Sequence, residues 1–341
     1  MSGTLVSIEL PSSYAPNPTL AVDVHAKPGT SCGKSRAGET IGQLLVDGAE
    51  LAQHSATVVV PAYNEARGIG SLLDALHQEV RSGVPIGLII VEASGSTDGT
   101  VGIVRQRQSA YGGIRLMYRP ERLGLAQSIQ EALEQCTTNV VIRIDADVTF
   151  PRGLLGRLLA RLDDPSIGIL GPRVQASPTG RFPLDTVVGS MYVIHDYVSR
   201  ISPKITNIQV FRRFEKEVLS DSESDDVMIQ SLATESGLRA LYVEDETVFT
   251  EPPRSLIGFI RQRVRCISAE TWYVQRTRRD GPPTGRPSIV LRAIARALRS
   301  KEVTHGGLAL FLFIEISARA YVRARYLLLG HEILTTWHSV R

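Results

Sequence analysis

Cysteine is scarce in this sequence, and what is present does not pair. Cys32, Cys136 and Cys266 are three among 341 residues, far apart and without a C-x-x-C spacing. This excludes a disulfide framework or a cysteine-based zinc site and points to a reducing, cytoplasmic setting. Long apolar runs are missing as well. The nearest, LALFLFIEI at 308–316, contains Glu315 and falls well short of the roughly 20 apolar residues that cross a bilayer. The opening MSGTLVSIELPSS has neither the basic start nor the apolar stretch of a secretory leader. Net charge is small, +3, but unevenly placed: from Arg254 onward 16 Lys/Arg stand against 5 Asp/Glu. A basic C-terminal part suits a diphosphate or a membrane surface; nucleic acid is the weaker fit and is not expected as a partner.

What is present is an alternation of strand and helix. Residues 1–53 are Pro-, Gly- and Ser-scattered and read as a partly disordered extension, with short elements near Leu5 and at 41–51. From Ala56 the pattern changes. ATVVV is a continuous apolar run of the kind buried on both faces, and 68–80 carries Ile69, Leu72, Leu73, Leu76 and Val80 at helical spacing. Further pairs follow: strand 86–91 with helix 97–108, strand 113–118 with helix 123–136, then strand 139–144 ending at Asp145 and Asp147. Such units predict an α/β fold: a Rossmann-like, mostly parallel sheet with helices on both faces, its ligands at the carboxyl ends of the strands. Beyond Phe150 the spacing predicts helices at 152–162, 187–199, 225–236 and 256–277, and strands at 167–172, 207–211 and 238–243. DGPPTGRP, from Asp280, reads as a linker before two more helices, so 54–280 is expected as one domain and 281–341 as basic C-terminal helices.

The loops after the strands carry the chemistry. In PAYNEA (61–66), Tyr63 is placed to lie against a flat ring, while Asn64 and Glu65 can cap the next helix or bond a ligand. In EASGSTDGT (92–100), Gly95 permits a tight turn, Ser96 or Thr97 can cap a helix, and Asp98 stands in its first turn. RIDADV is sharper. Asp145 and Asp147, one residue apart at the end of a buried strand, repel each other unless a cation or water intervenes. Mg²⁺ or Mn²⁺ takes one or two such carboxylates together with substrate phosphates. Each motif alone also fits plain turn and capping chemistry.

In this order, VVVPAYNEA, EASGSTDGT and RIDADV resemble the family-2 glycosyltransferases of GT-A fold. SDDVMIQSLATESGLRALYVED is similar to that family's E-D-x-x-L segment, and FTEPPRSLIGFIRQRVRC to its Q-x-x-R-W segment. The resemblance runs to about Trp272. It implies an enzyme that moves a sugar from a nucleoside-diphosphate sugar to an acceptor hydroxyl by metal-assisted inverting displacement. Pro61, Tyr63, Asn64 and Glu65 would line the base pocket. Ala93 and Ser94 stand where many members have Asp-Asp, so the usual carboxylate contact to base or ribose is missing unless Glu92 or Asp98 substitutes; Ser94 is retained as a cofactor-binding candidate. Gly124 and Ala126 match a G-x-A element, but Leu125 replaces a common basic residue, so phosphate contacts fall to Arg119 or Arg122. Asp147 would bind the metal, and Asp145 the ribose or the metal's water shell. Asp226 would be the base, with Asp225 in the usual Glu position beside it. Gln262 and Arg265 match Q-x-x-R, with Arg261 one turn from Arg265. Cys266 replaces the tryptophan that stacks on the acceptor in chain-extending members, which argues for a single transfer. Thr250 stands where related enzymes place a metal-ligating histidine. His195 and the other histidines show no ligand spacing and receive no role.

In the tail, Arg292, Arg296 and Arg299 form one helical stripe among aliphatic residues, and Arg319, Arg323 and Arg325 follow an apolar segment. Such helices either pack on the domain with their arginines in solvent or lie in a membrane interface, where a lipid-linked acceptor would be met. Small-molecule and glycan acceptors stay equally open. Two other classes are compatible with the fold: a catalytically inactive nucleotide-sugar-binding protein, and a nucleotidyltransferase. The latter usually has a Gly-rich basic first loop, which PAYNEA lacks.

Overall fold

The computed structural model describes residues 55–216 and 225–329. Every described residue belongs to one compact unit, Val46–Arg341. The expected N-terminal extension, Cys32, the Ser220–Ser224 part of the acidic run and the chain beyond Leu329 lie outside the described residues.

Among the described residues, eight strands make one mixed sheet in the order β3-β2-β1-β4-β7-β6-β8-β5. β1 (Ala56–Pro61), β2 (Ile86–Glu92), β3 (Ile114–Met117) and β4 (Val140–Ile144) are parallel neighbours. They alternate with α1 (Ile69–Arg81), α2 (Thr100–Tyr111) and α3 (Leu125–Glu134). The apolar runs follow from burial on both faces. On β1, Val58 and Val60 join a cluster with Leu72, Leu73 and Leu76 of α1, whereas Val59 points to the other face, among Ile129 and Ala132 of α3.

The second half is less regular. After β5 (Val148–Thr149) and α4 (Leu154–Arg161) come β6 (Ile167–Ala176), α5 (Leu184–Ile201), β7 (Ile208–Arg212), α6 (Asp225–Thr234) and β8 (Arg239–Thr250). β7 runs antiparallel to both β4 and β6, and β5 antiparallel to β8. The parallel character therefore belongs to the first half and to the β6–β8 pair. Two features were not expected: the two-residue β5, and a β8 that continues to Thr250 instead of stopping at 243. The added part of β8, EDETVFT, brings Thr250 opposite Val148.

α7 (Leu256–Thr277) begins at Ser255, whose hydroxyl accepts from the Gly258 amide at 3.0 Å, an N-cap bond. The Pro/Gly cluster after it forms a short 3-10 turn at Pro283–Gly285, followed by α8 (Pro287–Ser300) and α9 (His305–Leu329). Val187, Val188 and Val198 of α5, Phe259 of α7, Ala293 and Ala297 of α8, and Phe311 and Ile314 of α9 share a separate core cluster. Among the described residues no helix is long and apolar enough to cross a membrane.

Candidate active site

The loops at the carboxyl ends of β1, β2 and β3 are held in contact by their own polar groups. The Asn64 carboxamide accepts from the Thr97 amide at 2.8 Å, and the Asn64 amide donates to Ser96 Oγ at 3.1 Å. Asn64 adopts φ 57°, a left-handed conformation that asparagine tolerates better than most residues. Asp98 accepts from the amides of Ala66 (3.1 Å) and Thr100 (2.9 Å). Burial works against its charge, but these bonds and that from the Thr100 hydroxyl prevail and hold its carboxyl below the ordinary value. Glu92 is buried and accepts from the Ser94 amide at 3.0 Å; Ser94 Oγ accepts from the Arg119 amide at 3.1 Å. The structure thus engages Asn64, Glu92, Ser94 and Asp98 in building the loops.

Close backbone approaches do the rest. Gly95 has φ +72°, and a Cβ there would sit 2.6 Å from Arg122 Cα. The glycine lets the 119–124 loop lie directly on the second loop and so places Arg122. A Cβ at Gly68 would meet the Ala146 carbonyl oxygen at 2.5 Å, which fixes the start of α1 against the Asp145–Asp147 loop.

Above these loops lies a cavity of about 610 Å³. It brings together Pro61, Glu65, Arg122, Asp145, Asp147, Asp225, Asp226, Gln262 and Arg265. Tyr63 stands beside it with the Arg122 guanidinium 4.1 Å over its ring, a cation–π arrangement. Burial lowers the Arg122 pKa; Tyr63 opposes this and nearby Arg265 adds to it, so two cations face the same space. The other two arginines considered are elsewhere: Arg119 is half-exposed and paired with Glu131 at 2.9 Å, and Arg261 is exposed.

The carboxylates are organised by a residue that sequence reasoning missed. Arg143 is buried on β4, and its Nη2 lies 2.8 Å from Asp145 Oδ1 and 2.6 Å from Asp225 Oδ2. The signal was present in VVIRI: an arginine in a strand buried on both faces requires carboxylate partners. Burial disfavours its charge, but Asp145, Asp225, Asp226 and Asp147 together hold it above the usual value. Burial pushes Asp145 up to about 7; Arg143 opposes this while Asp147, Asp225 and Asp226 add to it. Burial likewise raises Asp226, with Lys204 opposing and Asp225 reinforcing. The Asp145 amide donates to the carbonyl of Asn207, another left-handed asparagine (φ 60°).

Asp147 Oδ2 accepts from the Thr250 hydroxyl at 3.0 Å, so the extended β8 brings Thr250 against the Asp145–Asp147 loop. Among the described residues no three His, Cys, Asp or Glu side chains gather to cage an ion unaided. Asp147, with Asp145 beside it, nevertheless fits a hard divalent ion whose remaining ligands are phosphate oxygens and water. Crowded carboxylates at Asp145 are what such a cation would relieve.

Residues 57–216 match the family described as glycosyl transferase family 2. That segment, just under half of the chain, is similar to a family-2 glycosyltransferase domain. Over 134 residues it is 32% identical to a pre-mycofactocin glycosyltransferase of Mycobacterium tuberculosis, covering 38% of this chain and 25% of that protein. Over 118 residues it is 37% identical to a lipopolysaccharide core biosynthesis glycosyltransferase of Rhizobium meliloti, covering 34% of this chain and 39% of that one. The matched segments therefore span well under half of either relative. Among solved structures, a mannosyltransferase of Pyrobaculum calidifontis, in complex with GDP-mannose and Mn²⁺, aligns with a TM-score of 0.56 at 20% identity. That alignment covers 86% of this chain and 97% of the other, and the shared fold is GT-A.

Proposed function

We propose that this protein transfers a sugar from a nucleoside-diphosphate sugar to an acceptor hydroxyl, by metal-assisted inverting displacement. The observation that carries the proposal is the meeting of two carboxylate pairs, Asp145/Asp147 and Asp225/Asp226, in one cavity with Arg122 and Arg265. Pro61, Tyr63 and Glu65 are assigned to the nucleotide, and Arg122 and Arg265 to the diphosphate, whose negative charge grows as it departs. Asp147 would hold Mn²⁺ or Mg²⁺ and Asp145 the ribose or a metal-bound water; when bound, the ion supplies Lewis-acid neutralisation of the leaving group. Asp226 accepts the acceptor's hydroxyl proton while that oxygen bonds to the anomeric carbon and the bond to the diphosphate breaks on the opposite face. Its raised pKa suits a base working near neutral pH. Asp225 pairs with Arg143 and holds the start of α6 in place. Gln262 is assigned to the acceptor side of the cavity.

A thermal-shift screen of UDP-, GDP- and dTDP-sugars, with and without Mn²⁺, tests the donor assignment. A Mn²⁺-dependent rise in melting temperature with one nucleotide class is expected. Failure of every nucleotide sugar to shift the melt rejects it.

The C-terminal helices also offer a face for a membrane surface. Leu291 and Leu298 of α8 and Phe313, Ile316, Leu327 and Leu328 of α9 are exposed, as are Arg292, Arg296, Arg299 and Arg323. Arg319 is not part of that face: it turns inward to Glu315 at 2.7 Å. Peripheral contact at the cytoplasmic membrane surface, with a lipid-linked acceptor as one substrate option, is checked by flotation with anionic liposomes at low salt. Protein left wholly in the soluble fraction removes it.

A further inference from the structure

The cavity has a second part that the donor residues do not use, walled by α5, α7, α8 and α9. Met191, Ile194, Val198, Ala269, Phe311 and Leu312 give it an apolar wall, interleaved with polar and charged side chains. The charged side chains among them are matched with one another. Lys204 Nζ lies 2.7 Å from Glu270, Arg263 Nε 2.9 Å from Glu315, and Arg319 Nη2 2.7 Å from the same Glu315. Burial opposes the charges on Lys204 and Glu270, yet their pairing raises the one and lowers the other, so both stay ionised.

What lacks a partner is different in kind. Both ring nitrogens of His195 and the carbonyl oxygen of Gln262 are buried with no hydrogen bond. Burial, together with neighbouring Lys204 and Arg263, keeps His195 neutral, against a weaker pull from Glu270. A neutral imidazole presents one donor and one acceptor, the complement of a hydroxyl group. Leaving such groups unmatched in an apolar wall is costly, which argues for a ligand that satisfies them.

We infer that this chamber is the acceptor site, and that it takes an uncharged molecule with an apolar body whose hydroxyl pairs with His195. The word acceptor rests on the glycosyl-transfer reading above; the chamber's ligand chemistry does not. An anionic acceptor would have to break ion pairs that are already satisfied. A free sugar would leave several hydroxyls facing aliphatic and aromatic carbon.

The test is ligand-observed saturation-transfer NMR on the full-length protein, with 4-ethylphenol as probe. Its hydroxyl-blocked analogue 4-ethylanisole, 3-phosphoglycerate and methyl α-glucoside are the comparisons. Saturable binding of 4-ethylphenol is expected, tighter than 4-ethylanisole. His195→Phe should weaken 4-ethylphenol roughly five- to tenfold and erase the preference for a free hydroxyl. Leu312→Trp, which fills the chamber, should abolish binding; should it fail to fold, His195→Phe decides alone, its integrity checked by thermal melting. The inference is overturned by absent 4-ethylphenol binding, by equal binding in His195→Phe, or by 3-phosphoglycerate or methyl α-glucoside displacing the phenol from the chamber. No donor turnover is needed. Phenol binding without use of any nucleotide sugar would sink the transfer reading and keep the chamber assignment. Transfer confined to 3-phosphoglycerate or free sugars would do the reverse.

Discussion

Arg143 reaches Asp225 across the floor of the cavity, Nη2 to Oδ2 at 2.6 Å, and so ties the strand that ends in the Asp145–Asp147 loop to the first turn of α6. Removing the arginine strands the buried carboxylate of Asp225 and the half-buried one of Asp145. Arg143→Met should therefore cost about 3–5 kcal/mol in urea unfolding. Adding Asp225→Asn to it should recover at least about 1 kcal/mol, because one uncompensated charge is then gone. Equal stability of the two variants would show that the pair does not organise the site.

The bond between Thr250 and Asp147 makes the metal side adjustable. An imidazole in place of the hydroxyl would add a nitrogen ligand beside Asp147. Thr250→His should lower the Mn²⁺ concentration for half-maximal donor turnover by on the order of tenfold. An unchanged Mn²⁺ dependence would place the ion away from Asp147.

Asp226 sets the pH dependence of transfer. The reaction needs its ionised form, and burial raises its pKa against the pull of Lys204. Activity should be full above that raised value and fall as pH drops through it, so the acid limb lies above the ordinary carboxylate value of about 4. Rate profiles of kcat from pH 4 to 8 check this. A limb at or below the ordinary value would assign the base elsewhere.

His195 titrates in the unfolded chain near pH 6.5 but is held down to about 3 in the folded protein, by burial and then by Lys204 and Arg263. Its folded pKa is depressed, so its contribution to stability is complete above about 6.5 and is lost as pH falls toward 3. Between pH 7 and 5 this amounts to at most about 2 kcal/mol. His195→Phe should unfold with a visibly flatter pH dependence in that window. A slope identical to wild type would mean that the imidazole is not confined.

The first half of the fold was legible because its strands are buried on both faces. ATVVV and IGLIIV can be little else, and the loops that follow them carry their turn and capping residues in plain view. The second half was less so. β8 continues as EDETVFT, a polar alternating stretch whose strand identity comes from pairing with β6 and with a two-residue β5. No local pattern announces such pairings. In the site, Asp145, Asp147, Asp225 and Asp226 were found from their motifs, and the structure gathers all four in one cavity. Arg143 was overlooked although its place in an apolar strand marked it. Lys204, Asn207 and His195 could not be read, since what brings them together is the packing of α5 and the β7 approach against α7 and α9, not spacing along the chain.

Release of nucleoside diphosphate from a donor that stabilises the protein, measured with Mn²⁺ for wild type and Asp147→Ala, bears most directly on the enzymatic role. Wild type should turn the donor over, and the variant should keep its fold while losing at least about 100-fold in rate. Equal rates in the two proteins, or no turnover of any nucleotide sugar by wild type, would contradict glycosyl transfer at this site.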